Sequence, residues 1–380
     1  MSKTSWAVAV QSKNYPPDLE LPTAICRCLQ QLGHPTDLVQ DGDPAGFGAD
    51  VLLLLTNLGN FPVYCRRLKR SGSQRPAAIL WQMDPLPPEN LPPEAEAVGL
   101  KASRWRDRFW LHQSAAAMPR REKLCTLFRL REWANKQCSA PGFRKASRLI
   151  KRSAGGDFDW VQVRAVMTNW RRILDSHNEG WVDHFVVSTN QRRRFLTSRG
   201  FTAHFIPVGA CEEMGHDLGL HRDIPVGFLG TTRYGRRAVM LERLSGRLKG
   251  KGIPLSQMVG GCYGERRCEW LNRTRILVNL HNYSWNPAWI RFLMAAMCGT
   301  LVVSEPMNDE HPMMAGVHYV AAAVDEMPEV IGKLLDAPEK IRQITSAAAD
   351  LCQHELTLLR AVERLSGLVR ATSLDRAGRT

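Results

Sequence analysis

The chain of 380 residues has 51 basic and 37 acidic side chains, giving a formal net charge of +14, and 44% of its residues are hydrophobic. This composition is typical of globular proteins and excludes wholesale disorder. No apolar stretch approaches the roughly 20 residues of a membrane span, and no signal peptide is visible at the start. Ten scattered cysteines without a C-x-x-C pair suggest buried thiols in a reducing compartment. We therefore expect a cytoplasmic protein of two or three domains.

The first half of the chain alternates short apolar strands with helical patterns. Residues 5–10, 50–56 and 77–83 read as buried strands, and residues 21–32 have helical spacing ended by Gly33. Such strands, separated by helix-length segments, predict a parallel sheet covered on both faces. Residues 85–93 are rich in proline, which excludes a regular helix or a central strand there.

The alternation of apolar strands and helical patterns resumes at residue 184 and continues through the second half of the chain. Strands are predicted at 184–188 and 203–208 around a helix at 190–199, and residues 211–223 read as a linker. Beyond it we predict strands at 225–230, 276–280 and 300–304, helices at 236–249, 289–298 and 325–335, and a helical tail at 337–371. The predicted fold class is α/β, with two doubly wound Rossmann-like domains facing a cleft. The domains are residues 1–210 and 224–355, followed by a C-terminal helix and tail at 356–380, and ligands should bind beyond the carboxyl ends of the strands.

Most of the positive charge is concentrated in residues 101–175. This basic segment holds 18 basic and six acidic residues, a surplus of 12, and several aromatic residues are interleaved with them. Basic and aromatic side chains together suit a polyanion, because cations meet phosphates while rings stack or pack. The alternative is a solvated helical segment whose rings join the core.

Three motifs follow predicted strands of the second domain. Residues 227–237 place Gly230 and Thr231 before Arg236 and Arg237, a pattern suited to close backbone approach and phosphate binding. The second motif has a dense set of hydrogen-bonding side chains of the kind that sugar hydroxyls need. Its members are Asn279, His281 and Asn282, followed by Arg291. In the third motif, Glu305 follows the buried strand at 300–304.

Together these motifs resemble the C-terminal half of nucleotide-sugar glycosyltransferases of the two-Rossmann (GT-B) type, and most closely their spore-maturation-protein-like (CgeB-like) relatives. The resemblance covers residues 182–355 and includes "VGFLGTTRYGRRAVMLERL", "ILVNLH", "RFLMAAMCGTLVVSE" and "GVHYV". It implies that the loop 230–237 and the helix beginning near Arg291 contact the donor diphosphate. The family commonly has a glutamate three residues after that arginine and a carboxylate eight residues before the glutamate. Here these positions are Met294 and Asn286.

The predicted function is therefore sugar transfer from a nucleoside-diphosphate sugar to an acceptor hydroxyl, without a permanently bound cofactor and without a metal. We assign Asp84, at the end of the strand 77–83, as the candidate catalytic base, with His281 as the next candidate. Tyr263 would pack on the nucleobase of the donor. The full set of predicted donor-binding residues is Gly230, Thr231, Arg236, Arg237, Tyr263, Asn279, Asn282, Arg291 and Glu305. The D-x-D matches at 41–43 and 157–159 do not clearly follow buried strands and are not assigned to a metal.

The acceptor stays open at this point. The basic segment predicts an anionic acceptor, which is a glycan, a lipid-linked sugar or DNA, and peripheral contact with the inner membrane face is a further option. One alternative is a DNA-modifying glycosyltransferase that acts on hydroxylated bases. Another, from a different class, is a non-catalytic two-Rossmann scaffold that binds nucleic acid or a protein partner.

Overall fold

The computed structural model of the protein describes residues 3–11, 19–72, 74–111, 160–232, 236–260, 263–283, 285, 289–307, 309 and 311–377. Two compact units are present. Residues 1–84 and 179–380 form the larger unit, and residues 85–178 form the smaller one. None of the described helices is long and apolar enough to cross a membrane.

The larger unit is built on two parallel sheets. The first has the strand order β2-β1-β3-β4-β5-β6 and the second has the order β11-β10-β9-β7-β8. The first sheet consists of β1 Trp6–Val10, β2 Thr36–Gln40, β3 Val51–Thr56, β4 Ala77–Gln82, β5 His184–Val187 and β6 Ala203–Phe205. The second consists of β7 Ile224–Leu229, β8 Leu255–Met258, β9 Thr274–Asn279, β10 Leu301–Ser304 and β11 Val320–Ala321.

The central strands are mostly apolar, as expected where helices cover both faces of a parallel sheet. Every residue of β1 is buried, and so are the first five of β3, with Trp6 paired with Val51 and Val51 with Ala77. Helices of the larger unit lie at Glu20–Gln31, Ala45–Gly48, Pro62–Arg70, Asn190–Thr197, Arg236–Gly250, Gly264–Arg273, Ile290–Met297, Met327–Leu335, Pro338–Asp350 and Leu358–Ala377.

The strand order reverses once in each sheet, and this locates the crevices where ligands bind. In the first sheet β1 lies between β2 and β3, so the switch point is at the carboxyl ends of β1 and β3. In the second sheet it falls between β7 and β9. Gly230 and His281 follow these two strands and therefore lie at the same edge.

The last helix packs against a helix that belongs to the first sheet. The helix Leu358–Ala377 contacts the helix Glu20–Gln31. Ala210 pairs with the chain just before this helix: its N–H donates to the Leu356 carbonyl oxygen at 2.7 Å. A Cβ atom on Gly209 would lie 2.1 Å from the carbonyl carbon of Thr357, so only glycine permits this close backbone approach. The predicted helical tail consists of two helices: Pro338–Asp350 continues as a π-helical turn at Leu351–Glu355, and the chain breaks at 356–357 before Leu358–Ala377.

The smaller unit contains the helices Pro93–Leu111 and Trp160–Asn178, which pack against each other. The Trp170 indole donates to a Glu96 carboxylate oxygen at 2.7 Å, and Gly99 lies against the Met167 side chain. Residues 112–159, which form most of the predicted basic segment, lie outside the described residues.

Candidate active site

Two buried arginines lie at the carboxyl end of the second sheet beside Gly230. Arg237 is 9% exposed and donates from Nε to the Leu280 carbonyl oxygen at 3.0 Å. Arg291 is 7% exposed and donates to the Leu229 carbonyl oxygen at 3.2 Å. Gly230 has φ +143°, and a Cβ atom there would lie 3.2 Å from Nη1 of Arg291 and 3.6 Å from Nη1 of Arg237. The missing side chain therefore leaves both guanidinium groups next to bare backbone.

The electrostatics of this pair favour a bound anion. Burial and the neighbouring charge of Arg237 together lower the pKa of Arg291 to about 9, with burial the larger cause. Burial also lowers the pKa of Arg237, an effect that Glu305 opposes. Within the described part of the chain, neither guanidinium forms an ion pair with a carboxylate. An anion placed between them would offset both the repulsion and the loss of hydration.

Arg236 has a different environment from Arg237. Its guanidinium pairs with both carboxylate oxygens of Glu305, with Nη1 at 2.9 Å from Oε2, and it donates to the His281 carbonyl oxygen at 3.2 Å. Glu305 Oε2 also accepts the His281 backbone N–H at 2.7 Å. Burial alone would raise the pKa of Glu305, but Arg236 and this N–H together hold it below its usual value.

His281 is 4% exposed. Burial lowers its pKa to about 4, an effect that Glu305 opposes and that the charges of Arg291 and Arg236 reinforce. The imidazole is therefore neutral at physiological pH. Its Nδ1 has no hydrogen-bond partner among the described residues.

The other predicted donor-binding residues also lie near the carboxyl edge of the second sheet, and they differ in burial. Asn279 is fully buried, and its amide donates to Ser304 Oγ at 2.9 Å, tying β9 to β10. Thr231 is exposed just beyond Gly230, and Asn282 is half-buried after His281. Tyr263 precedes the helix Gly264–Arg273, which follows β8. The donor-binding roles of these four residues stay predictions.

Of the two positions where the sequence departs from the pattern of the family that it resembles, one is described. Met294 lies in the helix Ile290–Met297 and packs against the hydrophobic core. Asn286 lies outside the described residues, as do residues 233–235 of the first motif.

Asp84 lies half-buried after β4, at the carboxyl edge of the first sheet. Its carboxylate accepts the Asn57 amide, and its carbonyl oxygen accepts the Gln82 amide at 3.0 Å. Asn57 follows β3 at the switch point, and the residue before it, Thr56, has φ +73°. A left-handed conformation at a β-branched residue is strained and tends to occur at functional sites.

A buried arginine connects Asp84 to the loop after β10. Arg192 is 2% exposed and donates to Ser188 Oγ at 2.7 Å. Burial lowers its pKa to about 10, while the charges of Asp84 and Asp309 oppose that effect. Asp309 in turn accepts the Gln191 backbone N–H at 3.0 Å and the Trp289 indole N–H at 3.2 Å. The carboxyl edges of the two sheets are therefore in direct contact here.

Sequence reasoning did not identify Asn57, Arg192 or Asp309. Asn57 and Arg192 lie close behind the carboxyl ends of buried strands, and that same signal singled out Asp84. Asp309 lies in an irregular loop whose position the sequence pattern does not predict.

The D-x-D match at 41–43 stabilises local structure. Asp41 accepts the backbone N–H groups of Val63 and Tyr64 at the start of the helix Pro62–Arg70, and Asp43 accepts that of Ala45. The described residues contain no cluster of three or more metal-binding side chains. The second match, at 157–159, lies outside them.

Part of the chain matches a family of known proteins. Residues 235–366 match the family model described as "Glycosyl transferase-like". This match contains Arg236, Arg237, His281, Arg291 and Glu305, and it confirms the glycosyltransferase prediction for that part of the chain. No curated protein shows significant similarity to the sequence.

Solved structures resemble the fold of almost the whole chain. Anabaena HepE in complex with UDP-glucose is 10% identical, with a TM-score of 0.51 over 97% of this chain and 100% of that one. An alpha-glucosyltransferase in complex with UDP and a 13-mer DNA containing an HMU base is 8% identical, with a TM-score of 0.54 and the same coverage. The same enzyme class in complex with UDP scores 0.53 at 9% identity. These similarities confirm the predicted fold of two Rossmann-like domains.

Proposed function

We propose that the protein transfers a sugar from a nucleoside-diphosphate sugar to an acceptor hydroxyl. The observation that carries this proposal is the pair of buried arginines beside Gly230, within the segment that matches the glycosyl transferase-like family. UDP is the diphosphate in the structurally similar complexes and is the donor nucleotide we propose. No permanently bound cofactor is needed for this reaction.

The arginine pair would act mainly on the leaving group. The acceptor oxygen attacks the anomeric carbon, the bond from that carbon to the diphosphate oxygen breaks, and the diphosphate departs with the electron pair. Arg237 and Arg291 would stabilise the charge that develops on that oxygen. Fixed cations in a site largely closed to water do this well, because they need little reorganisation during the reaction.

The acceptor hydroxyl must lose its proton as it attacks. We assign this role to Asp84, which the Asn57 amide orients and which lies near the buried charge of Arg192. A carboxylate in this position can accept the proton of an attacking hydroxyl. Asp84 lies at the edge of the first sheet, whereas the arginine pair lies at the edge of the second, so acceptor and donor would be held by different halves of the larger unit.

For the acceptor we keep the anionic class that the basic segment predicts, with a glycan or a lipid-linked sugar as the first choice. The similar alpha-glucosyltransferase is bound to DNA, and a DNA acceptor is the second candidate. The same proposal includes kinship with the CgeB-like transferases, a cytoplasmic location and peripheral contact with a membrane. A non-catalytic scaffold is the alternative that an assay of donor hydrolysis tests directly.

The donor site can be tested by calorimetry with UDP. Arg237→Met and Arg291→Met should each weaken UDP binding at least tenfold, because a charge-assisted hydrogen bond contributes about 1.5–3 kcal/mol. Arg247→Met is the matched control, since Arg247 lies on the same helix as Arg237 but pairs with Asp325 at the surface. Unchanged UDP affinity in both test variants would refute the site. Slow hydrolysis of a UDP-sugar by the wild-type protein, across a panel of sugars, would identify the donor and exclude the scaffold.

A further inference from the structure

The Arg236–Glu305 ion pair holds the backbone of one residue from two sides. Arg236 Nη1 donates to the His281 carbonyl oxygen at 3.2 Å, and Glu305 Oε2 accepts the His281 N–H at 2.7 Å. The ion pair is mostly shielded from water: the Glu305 side chain is 8% exposed and that of Arg236 is 16% exposed. A paired arginine of this kind has less charge to offer a ligand than Arg237 or Arg291.

The residue held in this way has an unused polar atom. His281 follows β9 at the switch point of the second sheet, beside the arginine pair, and its buried Nδ1 has no partner within the described residues. A buried polar group without a partner is costly, and a bound ligand that supplied the partner would remove that cost. A neutral imidazole has one N–H group and can donate it to a phosphate oxygen.

We propose that Arg236 and Glu305 are positioning residues that fix His281, and that the His281 ring donates a hydrogen bond to the donor diphosphate. This inference rests on the proposed UDP site and refines it. Arg237 and Arg291 meet the charge of the diphosphate, His281 fixes its orientation, and Arg236 acts through His281 instead of touching the nucleotide.

The two possible roles of the ion pair make opposite predictions for one variant. If Glu305 acted only through its charge, Glu305→Gln would remove a negative charge beside an anion site and strengthen UDP binding. If Glu305 positions His281, the same change weakens UDP binding, and we expect a loss of about tenfold. Arg236→Met should weaken binding to a similar extent, and the double variant should be no weaker than either single variant, since both act through the same residue.

A spectroscopic measurement separates positioning from general loss of structure. In protein with ¹⁵N-labelled histidine rings, the His281 signals are identified by their absence in His281→Gln. We expect the wild-type ring to be neutral in a single tautomer and its nitrogen signals to move when UDP is added. In Glu305→Gln and Arg236→Met the ring should exchange between tautomers. Arg236→Lys, which keeps the charge but loses the fork to Glu305 and His281, should have intermediate UDP affinity.

Thermal unfolding of each variant checks that it folds, and Arg247→Met serves as the control for removing an arginine from this helix. Glu305→Gln that binds UDP as tightly as the wild type, with unchanged His281 signals, overturns the positioning role alone. UDP binding that leaves the wild-type His281 signals unmoved overturns the ring contact. A wild-type protein that does not bind UDP overturns the proposed function together with this inference, so the failures are distinguishable.

Discussion

The Asp84 carboxylate accepts the Asn57 amide at the edge of the first sheet, whereas Arg237 and Arg291 lie at the edge of the second. As the general base, it should be required for turnover and not for nucleotide binding. Asp84→Asn keeps the shape but removes the proton acceptor, so kcat should fall by roughly 10²–10⁴ while the UDP affinity stays unchanged. The measurement is steady-state kinetics with the identified donor, together with UDP calorimetry.

Asn60→Ala is the control for the Asp84 prediction. Asn60 lies in the same loop as Asn57, and its amide donates to Thr56 Oγ1 and not to Asp84. The kcat of Asn60→Ala should remain within a few-fold of the wild-type value. If Asp84→Asn also keeps its turnover, the proton goes elsewhere and His281 is the next residue to test.

At the scale of elements, the helix Leu358–Ala377 fastens the end of the chain to the helix Glu20–Gln31. Leu365 is fully buried in this contact, whereas Leu359, on the same helix, is 39% exposed. Leu365→Ala should lower the free energy of unfolding by about 2–5 kcal/mol, because it removes buried methyl groups and leaves a cavity. Leu359→Ala should change it by less than about 0.5 kcal/mol. Urea denaturation measures both, and equal losses would show that the helix does not pack as described.

The sequence predicted the elements whose apolar residues form continuous runs. Strands β1, β3, β4, β7, β9 and β10 are fully or mostly buried, and each was predicted within a few residues. The edge strands β2, β8 and β11 were missed, because they are only partly buried and have no long continuous apolar run. The break at residues 356–357 was also missed: there Thr357 lies against Gly209, which is far away in the sequence.

In the candidate site, too, the positions of some residues were predictable from the sequence and the contacts of others were not. Gly230, Arg237, Arg291 and His281 follow buried strands or begin a helix after one, so the sequence pattern was enough to bring them to one edge. The pairing of Arg236 with Glu305 was not predictable, because residue types alone do not show which of two adjacent arginines faces a carboxylate. The contact of Asp309 with Gln191 joins residues 118 positions apart across the two sheets.

At the scale of the whole molecule, stability should fall as the pH drops below about 6.5. Burial lowers the pKa of His281 to about 4 and that of His311 to about 3, whereas both rings titrate near 6.5 when unfolded. Between these values the unfolded chain binds protons that the folded protein excludes, so acid favours unfolding. For His281 this amounts to about 2 kcal/mol between pH 7.5 and pH 5.

His281→Gln should therefore lose less stability than the wild type over that pH range, as measured by urea denaturation at both pH values. The charged groups facing His281 are Glu305, Arg291 and Arg236, and Glu305, whose pKa is lowered, would add its own loss only at more acidic pH. His221→Gln, at an exposed position, is the control and should follow the wild type. Parallel pH dependences for all three proteins would contradict the lowered pKa of His281.

The uneven distribution of charge along the chain predicts how the protein binds its acceptor. The segment 101–175 has a surplus of 12 positive charges, whereas the rest of the chain has a surplus of only two. A segment of this composition should bind an anionic partner at low salt and release it as salt rises. We expect binding to vesicles that contain acidic lipid and not to neutral ones, with about 1 kcal/mol per basic residue near the surface.

The measurement is a pair of binding titrations of the full chain, one with a DNA duplex and one with acidic vesicles, each at low and moderate salt. Changing Arg144, Lys145 and Arg148 together to glutamine should weaken binding, whereas the same change at Lys333, Lys340 and Arg342, which are exposed in the second half of the chain, should not. Stronger binding to the duplex, with log K falling by about 0.9 per neutralised phosphate for each unit of log salt, would favour the DNA acceptor instead. If neither partner binds at low salt, the surplus charge is solvated and does not recognise the acceptor.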